Sequence, residues 1–263
     1  MKFNGTASPL SESGLDQALD LLNLGAPELW AVLAIETHGC GFLKDRRPLI
    51  LFERHIFRKE TNGAFDQTHS QISSPTPGGY FGGTAEYQRL EEAVALNSHA
   101  ALDSASWGIG QIMGFNCKLA GFDSVEKMVT AMIDTEDTQL SGMANFVRSQ
   151  DLHVPLGNHD WAAFALSYNG PDFAKNQYDV RIAASFELFS NGALPNLRVR
   201  QVQVLLTFLD FNPGTIDGIV GKRTRSAILS FREKFGPGVS DEIDDDLIAA
   251  LQQRVAIVAA ASA

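Results

Sequence analysis

The 263-residue sequence lacks several features that define large classes of protein. It has two cysteines, Cys40 and Cys117, which are too few for a disulfide scaffold. They could form one bridge, but we expect two buried free thiols. Basic residues are also scarce: 21 lysines and arginines stand against 31 acidic residues, a formal net charge of −10. This balance argues against nucleic-acid binding, which normally needs a basic surface.

Long apolar runs are missing as well. No uninterrupted stretch approaches the roughly 18 apolar residues of a membrane-spanning helix, so we expect no membrane insertion. The first 16 residues contain one lysine and no apolar segment, and therefore predict no Sec signal peptide. The apolar share of 44% is nevertheless high enough for a buried core.

The charge is distributed unevenly along the chain. Residues 1–195 hold 13 basic and 23 acidic residues, whereas residues 196–263 hold 8 of each. The intervening stretch SNGALPN, residues 190–196, is rich in the residue types of turns and linkers. We therefore predict two domains, residues 1–192 and 193–263.

Apolar periodicity predicts a mainly helical first domain with a minor β element. One helix is expected from Leu15 to Leu24, and a second, apolar nearly all round, opens at Pro27 and is stopped by Gly39 and Gly41. Residues 48–52 resemble a short strand, and residues 62–83 a long loop or small β-lobe bordering a cleft. Further helices are predicted at 53–57, 84–97, from 107 with Ser106 as cap, and at 124–134, 138–149, 160–168 and 173–189.

The last 68 residues predict a small unit of three helices. The first is amphipathic and runs from Arg198 to Leu209. Thr224 is expected to cap a second helix reaching Phe235, and Asp241 a third reaching about Val258.

Glu36 is the first candidate for catalysis. It sits at the end of the apolar second helix, close in sequence to Trp30, Leu33 and Ile35. Loss of solvation raises the pKa of a carboxyl group, and a protonated glutamic acid at a cleft edge suits the general acid of glycosidic bond cleavage. An exposed helix-end residue is the alternative for this segment taken alone.

Two further segments suggest a binding cleft. Residues 104–114, SASWGIGQIMG, contain glycines that permit close approach of a ligand, and Gln111 offers a donor and an acceptor. Residues 165–170, ALSYNG, place Tyr168 and Asn169 at a helix end, where a flat ring and an amide suit a sugar.

These three segments carry a family resemblance. Residues 36–39 (ETHG) resemble the E-S-x-x-G element of goose-type lysozymes and lytic transglycosylases; residues 106–113 (SWGIGQIM) and 167–170 (SYNG) resemble their G-L-M-Q and A-Y-N-A-G elements, in the same order. The wider run 34–57, with SASWGIGQIMGFN, resembles the N-acetylmuramidase domain of phage modular endolysins over most of residues 15–190.

The resemblance implies a lysozyme-like α+β catalytic domain, so the fold class is mainly α with a small three-helix C-terminal domain. It further implies cleavage of the β-1,4 bond between MurNAc and GlcNAc in peptidoglycan. Glu36 would be the catalytic acid, while Gln111, Tyr168 and Asn169 would shape the sugar cleft.

The second carboxylate is open at this point. Glu53 lies in FERH, which also matches the endolysin family, and could activate water or stabilise an oxocarbenium-like transition state. The alternative is an ion pair with Arg54 or Arg58. Asp103 is a weaker candidate, more typical of a helix end. Lytic transglycosylases need no second carboxylate, because the substrate's own 6-hydroxyl attacks, so that chemistry stays an alternative.

The C-terminal unit resembles a peptidoglycan-binding domain. Residues 202–206 and 216–232 follow the pattern V-x-x-L-Q … D-G-x-x-G-x-x-T-x-x-A-V-x-x-F-Q. Arg232 stands where the pattern has Gln, and residues 241–251 lack a repeated D-G-x-x-G. Wall binding is expected; a helical unit that only packs against the catalytic domain is the alternative.

Other function classes were weighed against this one. His153, His159 and Asp160 are of zinc-ligand type, which would suit a zinc peptidase, but no HExxH is present. His38 and Cys40 flank the glycine-rich turn and are more simply cleft-lining or packing residues. A non-enzymatic wall-binding protein would lack the acid, yet Glu36 is present. We therefore expect no cofactor and no metal.

The expected partner is peptidoglycan, without nucleic acid or membrane, and the chain is expected to be a monomer. Without a Sec signal, an enzyme made in the cytoplasm would reach the periplasmic wall through a holin-made hole or a secretion machine.

Overall fold

Helices make up most of the chain in the computed structural model, which describes residues 2–37, 40–236 and 240–261. The α-helices of the first 195 residues are α1 Glu12–Leu22, α2 Ala26–Thr37, α3 Arg54–Glu60, α4 Glu86–Leu96, α5 Ser98–Asp103, α6 Val125–Met132, α7 Glu136–Ser149, α8 His153–Gly157, α9 Trp161–Asn169 and α10 Tyr178–Asn191. The remainder contains α11 Leu197–Phe208, α12 Lys222–Phe235 and α13 Asp245–Ala261.

Helix α2 is the central element of the catalytic half. Residues Leu29 to Leu33 are all buried, as expected for a helix that is apolar nearly all round. The helix packs against α10 and ends at Thr37, which places Glu36 in its last turn. Gly39, one of the two expected stop residues, and His38 lie outside the described residues.

A small antiparallel sheet lies beside the helices. Its order is β1-β2-β3, with β1 Ile50–Phe52, β2 Ala105–Trp107 and β3 Ile112–Met113. β1 confirms the predicted strand, and pairs Ile50 with Trp107. The segment 62–83 forms turns and loop without a strand, so the β-lobe alternative is wrong.

The helix predicted from Trp107, capped by Ser106, is wrong. Trp107 ends strand β2 instead, is fully buried, and donates its indole N–H to the Leu102 carbonyl at 3.1 Å. Gly108 (φ 69°) and Gln111 (φ 48°) then take left-handed conformations that turn the chain back into β3. Tertiary pairing with β1 overrides the helical pattern of this segment.

The three predicted helices of the C-terminal unit are confirmed, but two of their caps are not. Gly221 precedes α12, while Thr224 is buried within it and donates to the Pro213 carbonyl at 3.0 Å. Asp244, not Asp241, caps α13: its carboxylate accepts from Leu247 N at 2.7 Å. Asp241 instead pairs with Arg225 at 3.0 Å.

The hydrophobic interior has two parts. One fills the catalytic half; the other combines helices α11 to α13 with Ala7, Cys40 and Phe42 from the catalytic half. Cys40 and Cys117 are both buried and free, as predicted. Within the described residues no single helix is long and apolar enough to cross a membrane, although α1 and α2, bent by 109°, pass that test when taken together.

Candidate active site

Glu36 lies where α2, α9 and α10 converge. Its side chain is half-buried, and the hydroxyl of Tyr178, the first residue of α10, donates to its Oε1. Burial raises the pKa of Glu36 to about 7, while the Tyr178 hydrogen bond and the positive charge of Arg181 pull that pKa down. A carboxyl group with this pKa can hold a proton in mildly acidic solution and release it during a reaction.

Tyr168 connects Glu36 with the turn between β2 and β3. Its hydroxyl donates to the Gly110 carbonyl at 2.7 Å, and its ring stacks on Phe164. Burial raises the pKa of Tyr168 well above its ordinary value, and the nearby Glu36 charge raises it further. Tyr168 therefore lies close to Glu36 and fixes the turn beside it.

Gln111 is held inside the same turn. Ser106 Oγ donates to its Oε1 at 2.8 Å, and its Nε2 donates to the carbonyls of Gly108 at 2.8 Å and Leu49 at 3.2 Å. The amide thus shapes the wall of the site through the backbone. Asn169 ends α9 and is exposed next to Tyr168.

Glu53 lies in a second cluster, at the residue preceding α3. Its backbone N–H donates to the Ser104 carbonyl at 2.8 Å. Tyr80 donates its hydroxyl to Oε1 at 2.7 Å, and His55 Nδ1 lies 3.1 Å from Oε2. The side chain of Glu53 is only 16% exposed.

The ion pair considered for Glu53 is not formed with either arginine. Arg54 Nε donates to the Thr76 carbonyl at 2.7 Å, and Arg58 pairs with Asp66 at 2.8 Å. Glu53 is therefore held by a tyrosine and a histidine rather than neutralised by a guanidinium.

The two clusters lie toward opposite ends of β1. Leu49, just before the strand, accepts hydrogen bonds from the turn that contacts Tyr168, whereas Glu53 follows the strand. Four residues of extended chain span about 13 Å. Across the described part of the chain, no hydrogen bond joins Glu53 or its two partners to Glu36.

Asp103 belongs to neither cluster. It ends α5 and lies 3.3 Å from His99 Nε2. Burial raises its pKa, and the His99 charge opposes that rise.

The residues considered for zinc serve other purposes. His153 contacts Arg148, His159 lies 2.9 Å from Glu28 and stacks on Trp161, and Asp160 caps α9. No group of three or more His, Cys, Asp or Glu side chains in the described ranges could hold a metal ion.

Three residues of the site were not found from the sequence. Tyr178 falls inside a predicted helix, where nothing distinguishes it from a packing aromatic, and Arg181 reads as a solvent-facing charge one turn further on. Tyr80 carried a weak signal, because it stands between the glycine pairs 78–79 and 82–83 in a segment predicted to border a cleft.

Comparisons with known proteins agree with this geometry. The family model described as N-acetylmuramidase matches residues 25–190, and a peptidoglycan binding domain model matches residues 196–251. Among solved structures, the crystal structure of the Burkholderia AP3 phage endolysin is similar, with 37% sequence identity and a TM-score of 0.63 over 69% of this chain and 71% of that chain. The comparison with curated proteins finds no match.

The N-acetylmuramidase match covers more than half of the chain and includes Glu36, Glu53, Tyr168 and Tyr178. The second match accounts for most of the three-helix unit that follows. The chain therefore belongs to the N-acetylmuramidase family and is a modular peptidoglycan hydrolase.

Proposed function

We propose that this protein cleaves the β-1,4 bond between MurNAc and GlcNAc by hydrolysis, with Glu36 as the general acid. The observation that carries this proposal is the environment of Glu36: burial raises its pKa to about 7 at the end of a helix that faces the Tyr168 turn. A lysozyme-type EC 3.2.1.17 activity is the corresponding class.

In this scheme the protonated Glu36 gives its proton to the glycosidic oxygen as the bond to C1 of MurNAc breaks. Positive charge develops on the sugar ring, and a water molecule completes the reaction at C1. The Tyr178 hydroxyl orients the carboxyl group and stabilises the carboxylate that remains after proton transfer.

Glu53 is the proposed second carboxylate. Tyr80 and His55 fix its orientation without cancelling its charge through an arginine. A carboxylate held in this way can accept a proton from the attacking water or stabilise the oxocarbenium-like transition state. Gln111, Tyr168 and Asn169 are proposed to shape the sugar cleft around the bond.

Replacement of the acid tests the assignment. We expect Glu36→Gln to lower the release of saccharides from purified sacculi by about 100-fold or more, since general acid catalysis contributes at that scale. Binding to sacculi should persist. Glu28→Gln is the matched control, because Glu28 lies on the same helix and pairs with His159. Undiminished release by Glu36→Gln would overturn the assignment.

Lytic transglycosylation is the second candidate, and one observation favours it. Glu53 is held apart from Glu36 by its own partners, so Glu36 acts without a carboxylate in contact. The Glu53→Gln variant separates the two chemistries, because its amide oxygen still accepts from Tyr80. Hydrolysis predicts a loss of about 100-fold, whereas transglycosylation predicts near-normal turnover.

The wall is the proposed site of action, reached from the cytoplasm through a holin-made hole or a secretion machine. The C-terminal unit, which is electrically neutral overall, is proposed to retain the enzyme on peptidoglycan, and the chain to act as a monomer without a cofactor. Long-range attraction contributes nothing here, since the catalytic half and the wall are both anionic.

A further inference from the structure

An ion pair between the two halves of the chain is completely buried. Arg200, on the first helix of the C-terminal unit, and Glu136, the first residue of α7, are both 0% exposed. The arginine donates through Nη1 to Oε2 at 2.6 Å and through Nη2 to Oε1 at 2.7 Å. This two-pronged geometry is the strong form of a charge-assisted hydrogen bond.

Glu136 is also bound to two backbone segments of the catalytic half. Its Oε2 accepts from Leu10 N at 2.8 Å, and its Oε1 accepts from Gly41 N at 2.7 Å. Four hydrogen bonds thus converge on one carboxylate, which offsets the cost of burying its charge.

Gly41 belongs to the turn that leaves the helix of Glu36. The backbone N–H of Cys40 donates to the carbonyl of Thr37, the residue next to Glu36, at 3.4 Å. The Gly41 carbonyl in turn accepts from Leu49 N at 2.8 Å, beside the turn that Tyr168 contacts. The contacts of Glu136 therefore lead directly to the backbone on which the catalytic acid is placed.

Neighbouring contacts leave this turn little room to move. A Cβ added at Gly41 would lie 2.7 Å from Ile109 N, which is itself bound to Gln139 at 2.8 Å, one helical turn after Glu136. Phe42 packs edge-on against Phe208 of the C-terminal unit, with ring centroids 6.5 Å apart. The turn is held from both halves of the chain at once.

We propose that Arg200 is a positioning residue for Glu36: through Glu136 it fixes the turn after α2, so that the C-terminal unit is part of the working catalytic centre as well as a wall anchor. This inference rests on the proposed role of Glu36 as the acid.

The test uses full-length protein and a soluble peptidoglycan oligomer, so that wall anchoring does not enter the rate. Arg200→Met alone leaves Glu136 buried without its cation and invites unfolding. The double variant Arg200→Met with Glu136→Gln removes both charges and keeps an amide oxygen for Gly41. Arg200→Lys keeps the charge and loses the two-pronged geometry.

A matched control is available in Arg232→Met. Arg232 is 7% exposed and pairs with Asp244 at 2.8 Å, so its ion pair lies wholly within the C-terminal unit. Thermal melts identify a temperature at which all variants are folded, and kcat, KM and the pH profile are measured there.

We expect the double variant and Arg200→Lys to lower kcat at least 10-fold with KM changed less than 2-fold. The alkaline limb of their pH profile should move to lower pH, because a loosened turn admits water to Glu36 and lets its pKa fall. The Arg232 control should match the wild type in both respects.

Folded Arg200 variants with wild-type kcat and an unmoved alkaline limb would overturn the inference and leave the ion pair as a packing feature only. Failure of the proposed function is distinguishable, because it would show as full activity of Glu36→Gln regardless of Arg200.

Discussion

At the residue scale, the protonation of Glu36 is set by opposing influences. Burial raises its pKa, and the Tyr178 hydrogen bond and Arg181 charge lower it, with a balance at about 7. The acid form is therefore populated below neutrality, and activity should fall as the pH rises through about 7.

Tyr178→Phe should move the alkaline limb of the kcat/KM profile to higher pH. The substitution removes a hydrogen bond that favours the charged carboxylate and leaves the site as buried as before. Measurement of kcat/KM from pH 5 to 9 tests this, with Tyr87→Phe, whose hydroxyl bonds the Pro48 carbonyl, as control. A limb that stays in place or moves to lower pH would contradict it.

The same raised pKa makes Glu36 a cost to folding at alkaline pH. The folded protein binds the Glu36 proton more tightly than the unfolded chain, whose carboxyl has a pKa of 4.5, so stability is fully present below that pH and is lost as the pH rises through about 7. The loss is about 3 kcal/mol at most.

Glu36→Gln should therefore be more stable than the wild type at pH 8, and the difference should shrink at pH 5. Thermal melts of both proteins at the two pH values provide the measurement, and a difference that is the same at both would refute the linkage.

At the element scale, the turn between β2 and β3 carries Tyr168's acceptor and depends on glycine. Gly108 has φ 69°, and a Cβ there would lie 2.6 Å from Gln139 Cδ. Side chains other than glycine rarely adopt this backbone conformation, and Gln139 is committed to Ile109 N.

Gly108→Ala should destabilise the protein by about 1–3 kcal/mol and lower turnover. Gly236→Ala is the control, since it has no positive φ and its nearest neighbour is an ordinary contact at 3.5 Å. Melting temperatures and initial rates of both variants test the prediction; equal melting temperatures would count against a strained turn.

Elements with strong local signals were predictable from the sequence. The apolar run of α2 gave the central helix and placed Glu36 in its last turn, and the resemblance gave the order of the three site segments. The segment at Trp107 was not predictable as a strand, because its glycines and apolar residues fit a helix start equally well until β1 pairs with it.

Contacts distant in sequence account for the rest. Glu36 and Tyr178 are separated by 142 positions, and Glu53 and Tyr80 by 27. Neither the amphipathic pattern around Tyr178 nor the glycines around Tyr80 specify which carboxylate each hydroxyl meets.

At the scale of the whole molecule, the sequence predicts that deleting residues 196–263 lowers binding to sacculi. The structure adds a second effect: the deletion removes Arg200, leaves Glu136 buried without its cation, and exposes Phe42 and Cys40. Loss of one partner of a buried ion pair costs about 3–5 kcal/mol.

The truncated chain should therefore melt at lower temperature and turn over soluble oligomers more slowly than the full chain. Calorimetry and initial rates on a soluble substrate measure both. Unchanged values for residues 1–195 would mean that the two halves are energetically independent.

The most direct test of the account is mass spectrometry of the products released from purified peptidoglycan. Hydrolysis by Glu36 predicts saccharides ending in reducing MurNAc, and none from Glu36→Gln. Anhydro-MurNAc ends would contradict hydrolysis and leave Glu36 acting without Glu53, and freed peptides with intact glycan strands would contradict the muramidase assignment itself.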